Sequence, residues 1–452
     1  MRNTLVNKGV LISITSPAAP PHASLDWFSR AGFGIFIHFG HAASRGWELS
    51  WQMTGGVEGQ HPPRPGVPVE EYFDNAYAFD PASFDAVQWA DAIANSGATY
   101  AVFTSKHHDG FSMFDTAHSD YSITRASPFG RDLMRELLDA LRERGIRTGV
   151  YFSLPDWHHP LYPAVTEETI TRPYELGSYV RTDAEQWAQY RAFMLAQLTE
   201  ILTEYGQIDL LWFDGEFEHT AAEWDYAGIR EHVRALQPDC VVNDRCVGFG
   251  DYTTVEQRVP TEIPNRQWEA SITMNDSWGW SADDHHWKST ATLLGILAEV
   301  VAAGGNLLLN VGPTGEGLFP GEATERLEQI GEWTSRNREA MSGISRASAP
   351  IHAPLPIGVK ASADIERIFV YCTLRPHDTV MIAGLPVSRI LGVSVLGTDI
   401  SLAHTGAAWL SEVHAGVSDP LGDLEITIPQ EVADSLVPVL EITVRTISEV
   451  QR

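Results

Sequence analysis

"LLWFDGEF", residues 210–217, is a short apolar run that stops at Asp214, Gly215 and Glu216. Its apolar part fits a strand buried on both faces, and Asp-Gly is ordinary turn chemistry. The same residues could instead hold a carboxylate at the mouth of a barrel, so the surroundings decide. They repeat the pattern. "FGIFIHFG" (33–40), "TYAVFTSKHH" (99–108), "RTGVYFSL" (147–154), "IDLLWFDG" (208–215), "CVVNDR" (240–245), "EASITMN" (269–275) and "GNLLLNVG" (305–312) all read as strands apolar on both faces.

Helical stretches separate these strands. The clearest is 183–205, where Trp187, Tyr190, Met194, Leu198, Ile201, Leu202 and Tyr205 recur every three or four residues and Gly206 stands at the C-cap position. Others fall near 131–144, 221–236, 288–303 and 321–340. The alternation predicts an α/β fold, a (β/α)8-like barrel of the TIM type with room for one degenerate unit, over residues 22–345. Residues 1–21 read as an N-terminal extension. Beyond Arg346, "ASAPIHAPLPIG" is a Pro-rich hinge, and "RIFVYCTL", "TVMIAGL", "RILGVSVLG", "LEITIP" and "VLEITVRTI" predict a small C-terminal β-sandwich over 346–452.

The formal charge of −28 argues against nucleic acid or an anionic membrane surface as partner, since both call for a basic face. No apolar run approaches the length of a membrane span. Three separated cysteines, Cys240, Cys246 and Cys372, give neither a disulfide framework nor zinc-knuckle spacing, which fits a reducing, cytoplasmic setting.

A barrel of this type carries its active site at the C-terminal ends of its strands. Those ends hold His38; Lys106, His107, His108 and Asp109; Tyr151 and Asp156-Trp157-His158-His159; Trp212 and Asp214; Asn243, Asp244 and Arg245, followed by Glu256; and Trp268, Asn275, Ser277 and Trp278. Aromatic walls with a few placed polar groups are the usual form of a sugar or small-molecule site. A metal site competes, given the doublets His107-His108, His158-His159 and His285-His286. Adjacent strand residues point to opposite faces, however, and no H-E-x-x-H spacing occurs. There is also no G-x-S-x-G elbow, dinucleotide fingerprint or P-loop.

In order along the chain, "WFSRAGFGIFIHFG" (27–40), "SKHHDGFSMFDTAHSDYS" (105–122), "LLWFDGE" (210–216), "NDR" (243–245), "WEASITMNDSWGW" (268–280) and "GGNLLLNVGPTGEG" (304–317) resemble the signature blocks of family 29 glycoside hydrolases, the α-L-fucosidases. The resemblance implies retaining hydrolysis of terminal α-L-fucose without a cofactor or metal, on fucosylated oligosaccharides or glycoconjugates. It assigns Asp214 as nucleophile and Glu256, expected on a loop after the fifth strand, as acid/base, with Glu262, Glu269 and Glu216 as competitors. Sugar recognition falls by the same resemblance on His38, Glu48, Trp51, His107, His108, Tyr151, Trp212 and Arg245. "GWELSWQM" departs from the family's commoner Glu-Trp pair and leaves Trp47 as an alternative to Trp51. Phe39, Trp278 and Trp280 are candidates for the wall against the sugar methyl. The stretch 54–72 is placed on the aglycone side, and the sequence does not specify an oligomeric state. The competing functional classes are a fucose-binding protein without turnover and a barrel metallohydrolase.

Overall fold

The computed structural model describes residues 25–55, 66–163, 165–166, 183–409 and 420–446. The expected extension 1–21 and most of the Pro/Gly-rich stretch 54–72 lie outside these residues. Eight parallel strands form the first unit: β1 (Phe33–Ile37), β2 (Tyr100–Lys106), β3 (Arg147–Ser153), β4 (Leu210–Asp214), β5 (Val241–Val242), β6 (Thr253–Glu256), β7 (Trp268–Thr273) and β8 (Asn306–Val311). Their order in the sheet is β5-β4-β3-β2-β1-β8-β7-β6. The sheet curls until its two edges meet in one parallel bridge, Asn243 to Tyr252, backed by the Asp251 N–H donating to the Val242 carbonyl.

Helices Ala86–Asn95, Leu133–Glu143, Ala184–Glu204, Tyr226–Leu236, Thr290–Ala302 and Gly321–Arg336 cover the outside. Asp85, Asp132, Asp183, Asp225 and Ser289 cap five of them by accepting from backbone N–H groups of the first turn. The helical stretch expected over 221–236 breaks at Asp225, whose φ of 55° is left-handed. The degenerate unit lies between β5 and β7, where no helix intervenes. The expected fifth strand shrinks to two residues there. The following strand, β6, is one the apolar pattern does not reveal, because "TTVE" is short and largely polar.

Apolar residues fill both layers, as they must in a sheet covered on both faces. Inside the barrel, Phe36, Tyr100, Val102, Tyr151, Leu210, Trp212, Val241, Tyr252 and Leu308 form one buried cluster. Phe28, in the short helix Leu25–Phe28, plugs its base with its ring 4.4 Å from that of Tyr252.

The second unit is a β-sandwich. One sheet has the order β13-β16-β11-β10-β9, from β9 (Ser345–Arg346), β10 (Ile357–Ala361), β11 (Ile365–Tyr371), β13 (Ile390–Val395) and β16 (Val439–Arg445). The other is β12-β15-β14, from β12 (Thr379–Pro386), β14 (His404–Ala408) and β15 (Leu421–Thr427). β9 pairs with β10, so Ser345 and Arg346 join the sandwich sheet. The sandwich braces the barrel: Trp333 donates to the Val437 carbonyl at 2.8 Å and Tyr371 to the Ala340 carbonyl at 2.6 Å.

Candidate active site

The residues that face one another at the top of the barrel come from the ends of six strands. On β4, inward alternation puts Trp212 and Asp214 on one face. The chain then turns at Gly215, whose φ of 83° is left-handed and whose hydrogen faces Pro155 so closely that a Cβ would stand 2.2 Å from the proline ring. Only glycine fits there, and the sharp turn leaves Asp214 at the rim. β3 runs beside β4 in register, Tyr151 opposite Trp212 and Ser153 opposite Asp214. The Tyr151 and Trp212 rings accordingly stack, 5.7 Å apart at 18°, and the Tyr151 hydroxyl donates to Asp214 Oδ2 at 2.8 Å.

Strand alternation alone would send His107 and His108 to opposite faces. The doublet lies past the end of β2 at Lys106, where the chain leaves the strand for a turn closed by the Gly110 N–H donating to the His107 carbonyl. A bulge at Ser105, between Thr104 opposite Tyr151 and Lys106 opposite Phe152, precedes it. Both imidazoles then lie over the site, 4.3 Å apart, with His107 stacked on Tyr151 at 4°. Lys106 goes the other way, into the wall, where its ammonium lies 3.4 Å from Asp156 and 4.6 Å from the Phe152 ring centre.

The tautomer of His108 follows from its partners. Ser153 donates its hydroxyl proton to the Pro155 carbonyl at 2.8 Å, so its oxygen accepts from His108 Nδ1–H at 2.7 Å. Burial holds His108 far below the ordinary histidine range, at about 3, with His38 and Lys106 adding to the effect. The ring is therefore neutral and its Nε2 carries a lone pair. That buried atom has no hydrogen-bond partner and stands 3.6 Å from Asp214 Oδ2. Two acceptors facing each other leave a place for a hydroxyl donor.

His38 is set in the same way. Asn310 donates from Nδ2 to the Trp278 carbonyl, which turns its Oδ1 to accept from His38 Nδ1–H at 2.6 Å. Burial lowers His38 to about 4 against the pull of Asn310 and Asp214, leaving its Nε2 as an acceptor. Across the site, Arg245 packs over Trp212 and forks between two carboxylates: Nη1 to Glu216 Oε1 at 2.5 Å, and Nη2 to Glu256 Oε1. Burial would discharge this arginine, but Glu256, Glu216 and Asp214 outweigh it and keep it a cation. Burial pushes Glu256 up to about 7, Arg245 pulling it down and Asp214, Glu216 and Asp244 pushing it further up. Glu256 is the last residue of β6 rather than a loop residue, and its side chain keeps 35% exposure, enough to exchange its proton with solvent.

Comparison with known proteins bears on this arrangement. Residues 14–339 match the family described as Alpha-L-fucosidase. The chain is 32% identical over 334 residues to the tissue alpha-L-fucosidase of Macaca fascicularis, spanning 70% of this chain and 68% of that one. It superposes on Alpha-L-fucosidase isoenzyme 1 from Paenibacillus thiaminolyticus with a TM-score of 0.78 at 29% identity, covering 94% and 99% of the two chains. For the Thermotoga maritima alpha-fucosidase solved with a mechanism-based inhibitor, the TM-score is 0.72 at 27% identity, over 92% and 96%. The chain belongs to the α-L-fucosidase family.

Within this fucosidase several expectations are redrawn. Glu269 lies at the start of β7, fully buried inside the barrel, where Tyr100, Trp212 and Tyr252 donate to its carboxyl; it holds Trp212 from beneath. Glu262 is exposed. Enclosure inside the barrel takes Glu269 out of reach of a leaving group. Glu48 is fully buried, and its two oxygens accept from the backbone N–H groups of Trp278 at 2.6 Å and Gly279 at 3.1 Å. It ties the segment after β1 to the loop after β7 and so sets Trp278 against His38, ring centres 5.2 Å apart. Trp51 packs edge-on to His107, His108 and Trp157. Trp47 stacks on Tyr72, and Phe39 is buried outward against Phe79 and Trp89, away from the sugar wall. Trp280 packs against the helix-side core.

Apolar strand patterning does not reveal Ser50, Ser153 or Asn310, the groups that orient His107, His108 and His38. Their only signal is position, since Ser153 and Asn310 sit at or next to strand ends. The metal reading fits less well. Donor atoms of His107, His108 and Asp214 lie within 4.8 Å of one another, but Tyr151 already bonds the Asp214 oxygen, and Ser50 and Ser153 hold Nδ1 of the two imidazoles.

Proposed function

We propose that this fucosidase releases terminal α-L-fucosyl residues by double displacement, with Asp214 as nucleophile and Glu256 as acid/base. The observation that carries the reading is the setting of Asp214. It lies at a strand end beside the open acceptor nitrogen of His108, with Tyr151 donating to one oxygen. A fucose hydroxyl placed there donates to His108 Nε2 and brings the sugar against the nucleophile.

In the first step an Asp214 oxygen bonds to the anomeric carbon while the glycosidic C–O bond breaks, and the Glu256 proton passes to the leaving oxygen. In the second, the Glu256 carboxylate takes a proton from water. The water oxygen bonds to the anomeric carbon, the Asp214 ester opens, and fucose leaves with its anomeric configuration retained. Tyr151 steadies the carboxylate, Trp212 and Trp278 supply apolar walls, and His38 and His107 complete a set of neutral imidazoles around the sugar. Arg245 belongs to this binding set through its buried Nε, which has no partner.

Release of 4-nitrophenol from its α-L-fucoside tests the reading, with Asp214→Ala alongside and proton NMR of the first-formed sugar. Turnover giving α-L-fucose, absent in the folded variant, is expected; β-L-fucose as first product excludes the double displacement. The same proposal includes a reducing, cytoplasmic setting, supported by Cys240, Cys246 and Cys372 being buried free thiols; recovery of the protein outside the cytoplasmic fraction would remove that part. The charge of −28 supports a partner other than nucleic acid or an anionic membrane, and binding of either at physiological salt would contradict this.

A further inference from the structure

Three carboxylates, Asp214, Glu216 and Glu256, surround a single guanidinium, that of Arg245. The Glu216 side chain is more enclosed than that of Glu256, 17% exposed against 35%, and its Oε2 is buried without a hydrogen-bond partner. A second carboxylate placed so close to a nucleophile is unfavourable unless something uses its charge. Glu216 is not placed to serve as the acid. Its backbone carbonyl is fixed by Trp224 Nε1 at 3.2 Å at the head of the turn Glu216–Glu218, and its side chain is the more enclosed of the two carboxyls on Arg245, so Glu256 is the one open to a leaving group.

We propose that Glu216 is a positioning residue for the acid/base: by holding one branch of the Arg245 fork and adding a negative charge, it keeps Glu256 protonated and ready to donate at neutral pH. The inference rests on the reading of Glu256 as acid/base. Were Glu256 the sole partner of Arg245, the ion pair would favour its ionised form and strip the proton the leaving group needs. With Glu216 on the other branch, one cation is divided between two carboxylates. The groups that face Glu256 are Arg245 and Asp244 after β5, Asp214 and Glu216 at the end of β4, and Tyr151 on β3. Of these, Glu216 is the carboxyl that both faces the acid and shares its cation; burial and Asp214 raise it as well, and the Arg245 bond opposes them and favours its charged form. Tyr226 faces Glu216 from the following helix and stays neutral, its phenol raised by burial.

The test is the pH dependence of kcat/KM for Glu216→Gln, measured on an alkyl α-L-fucoside and on an activated aryl α-L-fucoside. The carboxamide oxygen still accepts from Arg245 Nη1, so the change removes charge and little else. On the alkyl substrate the alkaline limb is expected to move down by about one pH unit, a loss of about tenfold at a fixed pH on that side. The aryl substrate, whose leaving group needs no proton, should show a far smaller displacement. Glu216→Asp keeps the charge and should keep the native limb. Glu216→Ala also deletes the charge and gives the same reading if the glutamine variant does not fold.

An alkaline limb that stays in place in both charge-deleting variants overturns the inference, provided Glu256→Gln selectively disables the alkyl substrate. Equal losses on both substrates in Glu256→Gln overturn the acid/base reading instead, and the inference falls with it. Loss of activity in Glu216→Gln at every pH alike, with the limb unmoved, makes Glu216 structural.

Discussion

Tyr151 and Asp214 sit on neighbouring parallel strands, and the phenol donates to Asp214 Oδ2 at 2.8 Å because β3 and β4 run in register at that level. Buried among aromatic rings, the phenol stays protonated: burial raises it well above the ordinary tyrosine range, and the Asp214 charge raises it further. It is therefore a permanent donor to the nucleophile. A hydrogen bond to a charged group contributes about 1.5–3 kcal/mol, so Tyr151→Phe should lower kcat by about ten- to a hundredfold. Steady-state kinetics on an aryl fucoside check this; an unchanged kcat and kcat/KM would remove Tyr151 from the mechanism.

Gly215 meets two demands at once, a left-handed φ and the closeness of Pro155. Gly215→Ala places a methyl group where the proline ring lies. It should cost about 1–3 kcal/mol of stability and displace Asp214, lowering activity by more than tenfold. Thermal unfolding and turnover should fall together. A variant with native melting and native activity would show that the turn has other room.

Glu256 must hold a proton in the first step, and its carboxyl is pushed up to about 7 by burial, with Arg245 opposing. Hydrolysis of fucosides with poor leaving groups should therefore decline as pH rises through about 7. In Glu256→Gln that alkaline limb should vanish, with losses of about a hundredfold or more on poor leaving groups and much smaller ones on activated aryl fucosides. An intact limb in the variant would assign the proton to another group.

Glu269 gives a prediction about stability. Burial pushes its carboxyl from the ordinary 4.5 up to about 7, against the hydrogen bonds from Tyr100, Trp212 and Tyr252. The folded protein thus holds a proton that the unfolded chain releases above about 4.5. This contribution to stability is fully present below that value and is lost as pH rises through about 7. Glu218, raised to about 8 by burial, acts with the same sign. Glu269→Gln carries no such proton, so its melting temperature should fall less steeply over that range than the native one. Parallel melting profiles would show that Glu269 is already ionised in the fold.

The barrel and the sandwich were legible because buried parallel strands read as continuous apolar runs and their turns as Gly and Asp. The strand bearing Glu256 was not, since Thr253 and Thr254 are half-buried and break the apolar pattern. The facing of residues was legible only where alternation held. It placed Trp212 with Asp214, but the histidine doublet lies past the last residue of β2, where a turn rather than alternation sets both rings over the site. Side chains whose partners lie far along the chain were the least visible. Phe39 turns outward, Glu48 spends both carboxylate oxygens on the backbone of Trp278 and Gly279, and Glu269 lies at the wrong end of its strand for acid/base work. In each case a partner far along the chain, at a distance no local pattern encodes, decides the role.

The central claim is that Asp214 forms the covalent bond to fucose. Its most direct test is a peptide map of the protein after inactivation by a 2-fluoro-fucosyl fluoride, which slows hydrolysis of the glycosyl ester. The account predicts a single fucosyl-sized adduct on the peptide holding Leu210–Glu216, localised by fragmentation to Asp214. An adduct on Glu216 or Glu256, with Asp214 unmodified, would contradict it.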